Sequence, residues 1–137
     1  MSLAAIQQKA QQKSAIVIIY GPSGLGKTTL AVGSKNPIVL QTEEGLGILT
    51  NNRDIAHFPL AKDYDTFYGY LKSLVDADKL DYNTLVIDSL DWLEPLIFAK
   101  TCEAHKQNSI ESFGYGRGYV EALKYWREII DLVNTLR

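Results

Sequence analysis

One cysteine, Cys102, is present in 137 residues. An internal disulfide framework is therefore excluded, and cysteine usage is that of a chain kept in a reducing compartment, so the cytoplasm is the expected location. Neither sign of charge dominates: 14 Lys and Arg stand against 16 Asp and Glu, for a net charge of −2. A global basic signature of nucleic-acid binding is absent, so any such contact must be a local patch. No apolar run approaches the ~20 residues that cross a bilayer. No secretory signal is visible either, and no membrane partner is expected. Internal repeats are missing, and so is low complexity beyond a Gln/Lys/Ala-rich N-terminus. With 46% hydrophobic and 22% charged residues, the composition is that of an ordinary folded domain. The length suits one core domain, expected over residues 15–137 after a polar arm at 1–14.

What is present is concentrated in Ile16-Val17-Ile18-Ile19-Tyr20, followed by Gly21-Pro22-Ser23-Gly24-Leu25-Gly26-Lys27-Thr28-Thr29. The first five residues are apolar and mostly β-branched and predict a buried strand. The segment from Gly21 to Thr28 fits G-x-x-x-x-G-K-[ST], a phosphate loop opening a helix. Glycines let successive N–H groups turn inward as a nest for anionic oxygens, and the helix adds the positive end of its dipole. Lys27 is placed to reach the β- and γ-phosphates, and the Thr28 hydroxyl to hold Mg²⁺. The bland alternative is a Gly-rich turn between strand and helix.

Along the chain, the helix from the loop is expected to run to about Ser34, where Asn36-Pro37 breaks it. Ile38 to Gln41 reads as a second buried strand, ending in Thr42-Glu43-Glu44-Gly45. This puts two carboxylates at a strand's C-terminal edge, where open α/β sheets bind ligands. Residues 45–52 read as a loop or short helix, and 55–60 as a short extra strand. From Asp63 to about Asp76, Phe67, Leu71, Leu74 and Val75 share one helical face. Thr84-Leu85-Val86-Ile87-Asp88 is a third strand. Its terminal Asp88 is the expected partner of a phosphate loop, near Mg²⁺. The alternative is that Asp88 or Ser89 caps the next helix, the role expected of Asp91. That helix should span Leu90 to about Lys106. Residues 107–118, with three glycines, Tyr115 and Arg117, read as a mobile loop. A final helix over 119–137 should carry Val120, Leu123, Trp126, Ile130 and Val133 along one apolar face. His57, His105 and Cys102 lack the company a metal site or nucleophile needs.

Hydrolysis of a nucleoside triphosphate needs a group that orients the attacking water. Many ATPases place a glutamate directly after the strand-end aspartate, but here that residue is Ser89. The remaining candidates are Glu43 and Glu44 on the neighbouring strand end. A GTPase would be expected to show N-K-x-D. The nearest string, Asn51-Asn52-Arg53-Asp54, lacks the lysine, so ATP is the expected nucleotide.

These segments, together with Ile87-Asp88-Ser89-Leu90-Asp91 and Phe113-Gly114-Tyr115-Gly116-Arg117-Gly118-Tyr119, resemble the RecA-like ATPases. More narrowly, they resemble phage-encoded P-loop proteins of the AAA-domain type found beside single-strand annealing proteins. The resemblance implies a three-layer α/β/α fold with a mostly parallel sheet, working in a bacterial or phage-infected host cytoplasm. It implies Glu43, rather than Glu44, as the hydrolytic carboxylate beside Lys27. The resemblance also places a single-stranded DNA loop at 107–118, with Tyr115 to stack and Lys106 or Arg117 to meet phosphate. The alternative there is a flexible surface loop. Homo-oligomers are expected by analogy. RecA-like sheets carry a further strand between the phosphate-loop strand and the one ending in Asp88. It follows the helix that here ends near Arg137, so C-terminal strands are expected to be missing from this chain. Direct pairing of 16–20 with 84–88 would instead point to the kinase and GTPase branch. The function implied is a Mg²⁺-dependent ATPase acting with single-stranded DNA in recombination or replication. The rivals are an ATP-gated binding module with incidental hydrolysis and a small-molecule kinase.

Overall fold

In the structure, a computed structural model that describes residues 12–47 and 54–137, three short parallel strands carry the site. Pro37–Gln41 (β1) pairs with Thr84–Asp88 (β3) in full register, from Pro37 opposite Thr84 to Gln41 opposite Asp88. Ala56–His57 (β2) pairs with the other edge of β1, giving the order β2-β1-β3. Residues 1–11 of the expected arm, and 48–53 with most of the expected 45–52 segment, lie outside the described residues.

Successive strand residues point to opposite faces, and each face has its own helices. Val39 and Val86 pack with Val32 of the helix Lys27–Val32 (α1), with Leu46 and with Ile55. Ile38 and Leu40 pack on the opposite face against Tyr64–Val75 (α2), Leu90–His105 (α3) and Arg117–Leu136 (α4). The result is the expected three-layer α/β/α arrangement. Phe67, Leu71, Leu93 and Ile97 are wholly buried in the larger layer. Each contributes about 1.5–3 kcal/mol by leaving water, so they outweigh exposed ion pairs such as Lys72–Asp76.

Helix α2 starts where its capping residue dictates. The Asp63 side chain accepts from the Thr66 backbone N–H at 2.7 Å, and that bond holds its carboxyl below the ordinary 3.8. Helices α2 and α4 are joined by Tyr64, whose hydroxyl donates to Glu128 at 2.6 Å. Burial, with the Glu128 bond behind it, pushes the Tyr64 phenol well above its usual range. Among the described residues, no helix is long and apolar enough to cross a membrane.

Three expectations are corrected. Residues 16–20 form no strand: Val17 is 75% and Tyr20 92% exposed, and among the described residues the segment has no sheet partner. Strand propensity needs a neighbouring ladder to be realised, and among the described residues none lies beside it; just before it the Arg137 Nε donates to the Ser14 carbonyl at 2.7 Å. Residues 16–20 lie outside the β2-β1-β3 sheet and so do not pair with 84–88. Helix α1 stops at Val32, short of Ser34. Finally, α4 buries Gly118, Ala122, Tyr125 and Ile129, whereas Val120, Leu123 and Ile130 are exposed and Trp126 and Val133 half-buried. Two apolar stripes run along this helix, and the one that meets α2 and α3 is the core stripe.

Candidate nucleotide-binding site

The β1–β3 register brings the C-terminal ends of both strands to one edge of the sheet, and α1 begins beside them. Gly26 ends the phosphate loop in the left-handed region, at φ 86°, and is the N-cap of α1. A side chain would strain that turn, which explains glycine there. Lys27 folds back over the loop: its Nζ donates to the Gly21 carbonyl at 2.7 Å and to the Pro22 carbonyl at 2.9 Å. An ammonium is thus held at the start of the loop, on the carbonyls of its first two residues.

The next residue makes the decisive contact. Thr28 Oγ1 donates to Asp88 Oδ2 at 2.7 Å, across 60 residues of sequence. The hydroxyl and the carboxylate expected on Mg²⁺ therefore meet in a partly buried position. Mg²⁺ takes oxygen ligands, and it binds through one or two protein groups with phosphate and water completing the shell. A hydroxyl and a carboxylate in contact beside a phosphate loop fit that requirement. Among the described residues no cluster of three or more His, Cys, Asp or Glu competes as a metal site.

Glu43 follows the end of β1 by two residues and is half-buried, whereas Glu44 is exposed. Between β1 and Glu43 lies Thr42, a buried polar residue 7% exposed, which sequence reasoning passed over in favour of the carboxylates. Its side chain and main chain both bind the end of β3. Ser89, not Asp91, is the N-cap of α3, and it makes no side-chain cap bond; Asp91 lies in the first turn. The exposed His57 ring meets the Ile55 carbonyl, at 2.8 Å.

The 107–118 segment lies at the junction of α3 and α4 and is more ordered than expected. Ile110–Phe113 is a short 3₁₀ helix closed by a reciprocal Ser109–Ser112 capping box. Ser109, a favoured N-cap residue type, was the available signal. Tyr119 bonds Glu111, and His105 lies against Phe113 and 3.5 Å from Glu121. At the tip, Tyr115 has φ 49° and stands fully exposed between Gly114 and Gly116. Lys106, at the end of α3, and Arg117, at the start of α4, are exposed without an ion-pair partner among the described residues.

Gly118 locks this turn to α4. A Cβ there would lie 2.2 Å from the Ile110 carbonyl oxygen and 2.9 Å from the Phe113 ring. Backbone cannot yield as a flexible side chain does, so Gly118→Ala is expected to destabilise the chain by about 1–3 kcal/mol, the usual cost of overpacking. Urea unfolding checks this; an unchanged midpoint would show that the turn is not held by that contact.

A model of the family described as "AAA domain" matches residues 13–137. The chain is also similar to the SPbeta prophage-derived uncharacterized protein YorG of Bacillus subtilis (strain 168). The two are 25% identical over 124 residues, covering 88% of this chain and 38% of that protein. The chain thus spans well under half of that relative's length. No solved structure matches it.

Proposed function

The chain belongs to the AAA domain family, and from that premise we propose that it is an ATP-binding, Mg²⁺-dependent ATPase of the RecA-like kind, acting with single-stranded DNA in phage recombination or replication. The observation that carries the nucleotide reading is the 2.7 Å Thr28–Asp88 contact. A Gly-rich turn with no ligand has no need to bring a strand-end carboxylate onto its helix.

The roles follow from position. The amides of Gly21, Pro22 excepted, through Ser23, Gly24, Leu25, Gly26 to Thr29 surround the triphosphate. Lys27 exchanges its two carbonyl acceptors for phosphate oxygens, a stronger charge-assisted pairing. Thr28 and Asp88 would hold Mg²⁺, which when bound would neutralise charge on the phosphates. Glu43 orients and deprotonates the attacking water.

The DNA reading rests on the Tyr115 turn. A fully exposed aromatic two residues before Arg117, in a segment that begins after Lys106, suits base stacking with phosphate contact. The prophage origin in the relative's name supports the phage setting. A single-strand annealing protein as partner, and assembly of several copies, complete the proposal.

The test is the ATPase rate with and without single-stranded DNA. Severalfold stimulation is expected, reduced by a Tyr115→Ala, Arg117→Ala double variant. Turnover that DNA leaves unchanged would remove the recombination role and keep the nucleotide site. ATP binding without turnover would favour the ATP-gated module, and phosphate transfer to a metabolite the kinase.

A further inference from the structure

The ends of β1 and β3 are joined by a side chain where their main-chain ladder runs out. The last ladder-like bond is donated by the Thr42 N–H to the Asp88 carbonyl, at 2.8 Å. Beyond it, Thr42 Oγ1 donates to the Ser89 carbonyl at 2.7 Å and accepts from the Ser89 N–H at 3.0 Å. Three hydrogen bonds from one residue thus reach both members of the Asp88–Ser89 pair. Thr42 immediately precedes Glu43, and Asp88 carries the oxygen that meets Thr28.

We infer that Thr42 is a positioning residue for hydrolysis: its hydroxyl fixes the spacing between the Glu43 backbone and the Asp88 backbone. This rests on the nucleotide reading given above. Strand ends splay because their last groups have no ladder partner. Here the two ends that splay would each carry a carboxylate with a different task, one at the metal and one at the water. Positioning errors of about 1 Å are enough to cost roughly 10²-fold in rate. A hydroxyl is suited to the task because it donates and accepts at once, and so satisfies both the carbonyl and the N–H of Ser89. The rest of the residue does ordinary packing, which valine reproduces.

Thr42→Val keeps the shape and removes both side-chain bonds; Thr42→Ser keeps the bonds. With valine, amide exchange at Ser89 is expected to speed up. ATP affinity without metal should stay within about twofold, and kcat should fall roughly 10- to 100-fold, as when groups that orient metal ligands are removed. KM should move little, and serine should restore most of kcat. Mn²⁺ affinity of the ATP-loaded chain should weaken roughly tenfold with valine and recover with serine.

Wild-type kcat and Mn²⁺ affinity in Thr42→Val, with Ser89 exchange accelerated, would overturn the proposal. An equal loss of metal-free ATP affinity and kcat would also overturn it, because that pattern belongs to a purely structural residue. If the wild-type chain binds ATP but never turns it over, the hydrolase reading fails separately, and the Mn²⁺ arm still decides the role of Thr42.

Discussion

Glu43→Gln should lower kcat by roughly 10²–10⁴-fold, the usual contribution of a positioned general base, and leave ATP affinity unchanged. Glutamine keeps the size of the side chain and its hydrogen-bonding oxygen but has no carboxylate to take a proton. Glu43 is half-buried two residues beyond the end of β1, the strand that adjoins the one ending in Asp88, whereas Glu44 is exposed. The same change at Glu44 is therefore expected to leave kcat within about twofold, since an isolated surface charge contributes little. Steady-state rates for both variants, with affinity read from a fluorescent ATP analogue, make the comparison. If Glu44→Gln is the inactive one, the assignment passes to Glu44; if neither matters, the water is activated elsewhere.

Lys27→Ala should weaken ATP binding roughly 10- to 100-fold, because hydrogen bonds to charged partners contribute about 1.5–3 kcal/mol. In the structure the Lys27 ammonium has two neutral acceptors, the carbonyls of Gly21 and Pro22. It is thus a cation poised for a better partner. The fold should survive the substitution, because both bonds lie within the loop and none reaches the core. Titration calorimetry with ATP measures the loss. Lys79→Ala, at an exposed lysine in the segment that leads into the start of β3, should change nothing. Equal affinities for Lys27→Ala and the native chain would place the triphosphate elsewhere.

What was legible in the sequence follows from how local each signal is. Strands β1 and β3 were readable because a short apolar run closes on a polar residue at a sheet edge, and both boundaries agree closely with the structure. Helix α2 was readable because Phe67, Leu71 and Leu74 follow a helical spacing with Asp63 at its cap. The phosphate loop and Asp88 were readable as a motif, and the structure joins them through Thr28. Residues 16–20 were not, because β-branched residues state a preference that only a neighbouring strand can realise. The core side of α4 was hidden because Val120, Leu123 and Ile130 compete with Ala122, Tyr125 and Ile129 on the same helix. The order of the 107–118 segment depends on Gly118 touching the Ile110 carbonyl, a contact that composition does not disclose. Thr42 was passed over because its role depends on the register that brings it opposite Ser89.

The most direct measurement is a crystal structure of the chain with Mg²⁺ and a non-hydrolysable ATP analogue. The expected result has the triphosphate inside the 21–29 loop, Lys27 Nζ moved from the Gly21 and Pro22 carbonyls onto phosphate oxygens, and Thr28 and Asp88 on the metal. An empty loop with Lys27 still on those carbonyls, or nucleotide bound at another face, would contradict it.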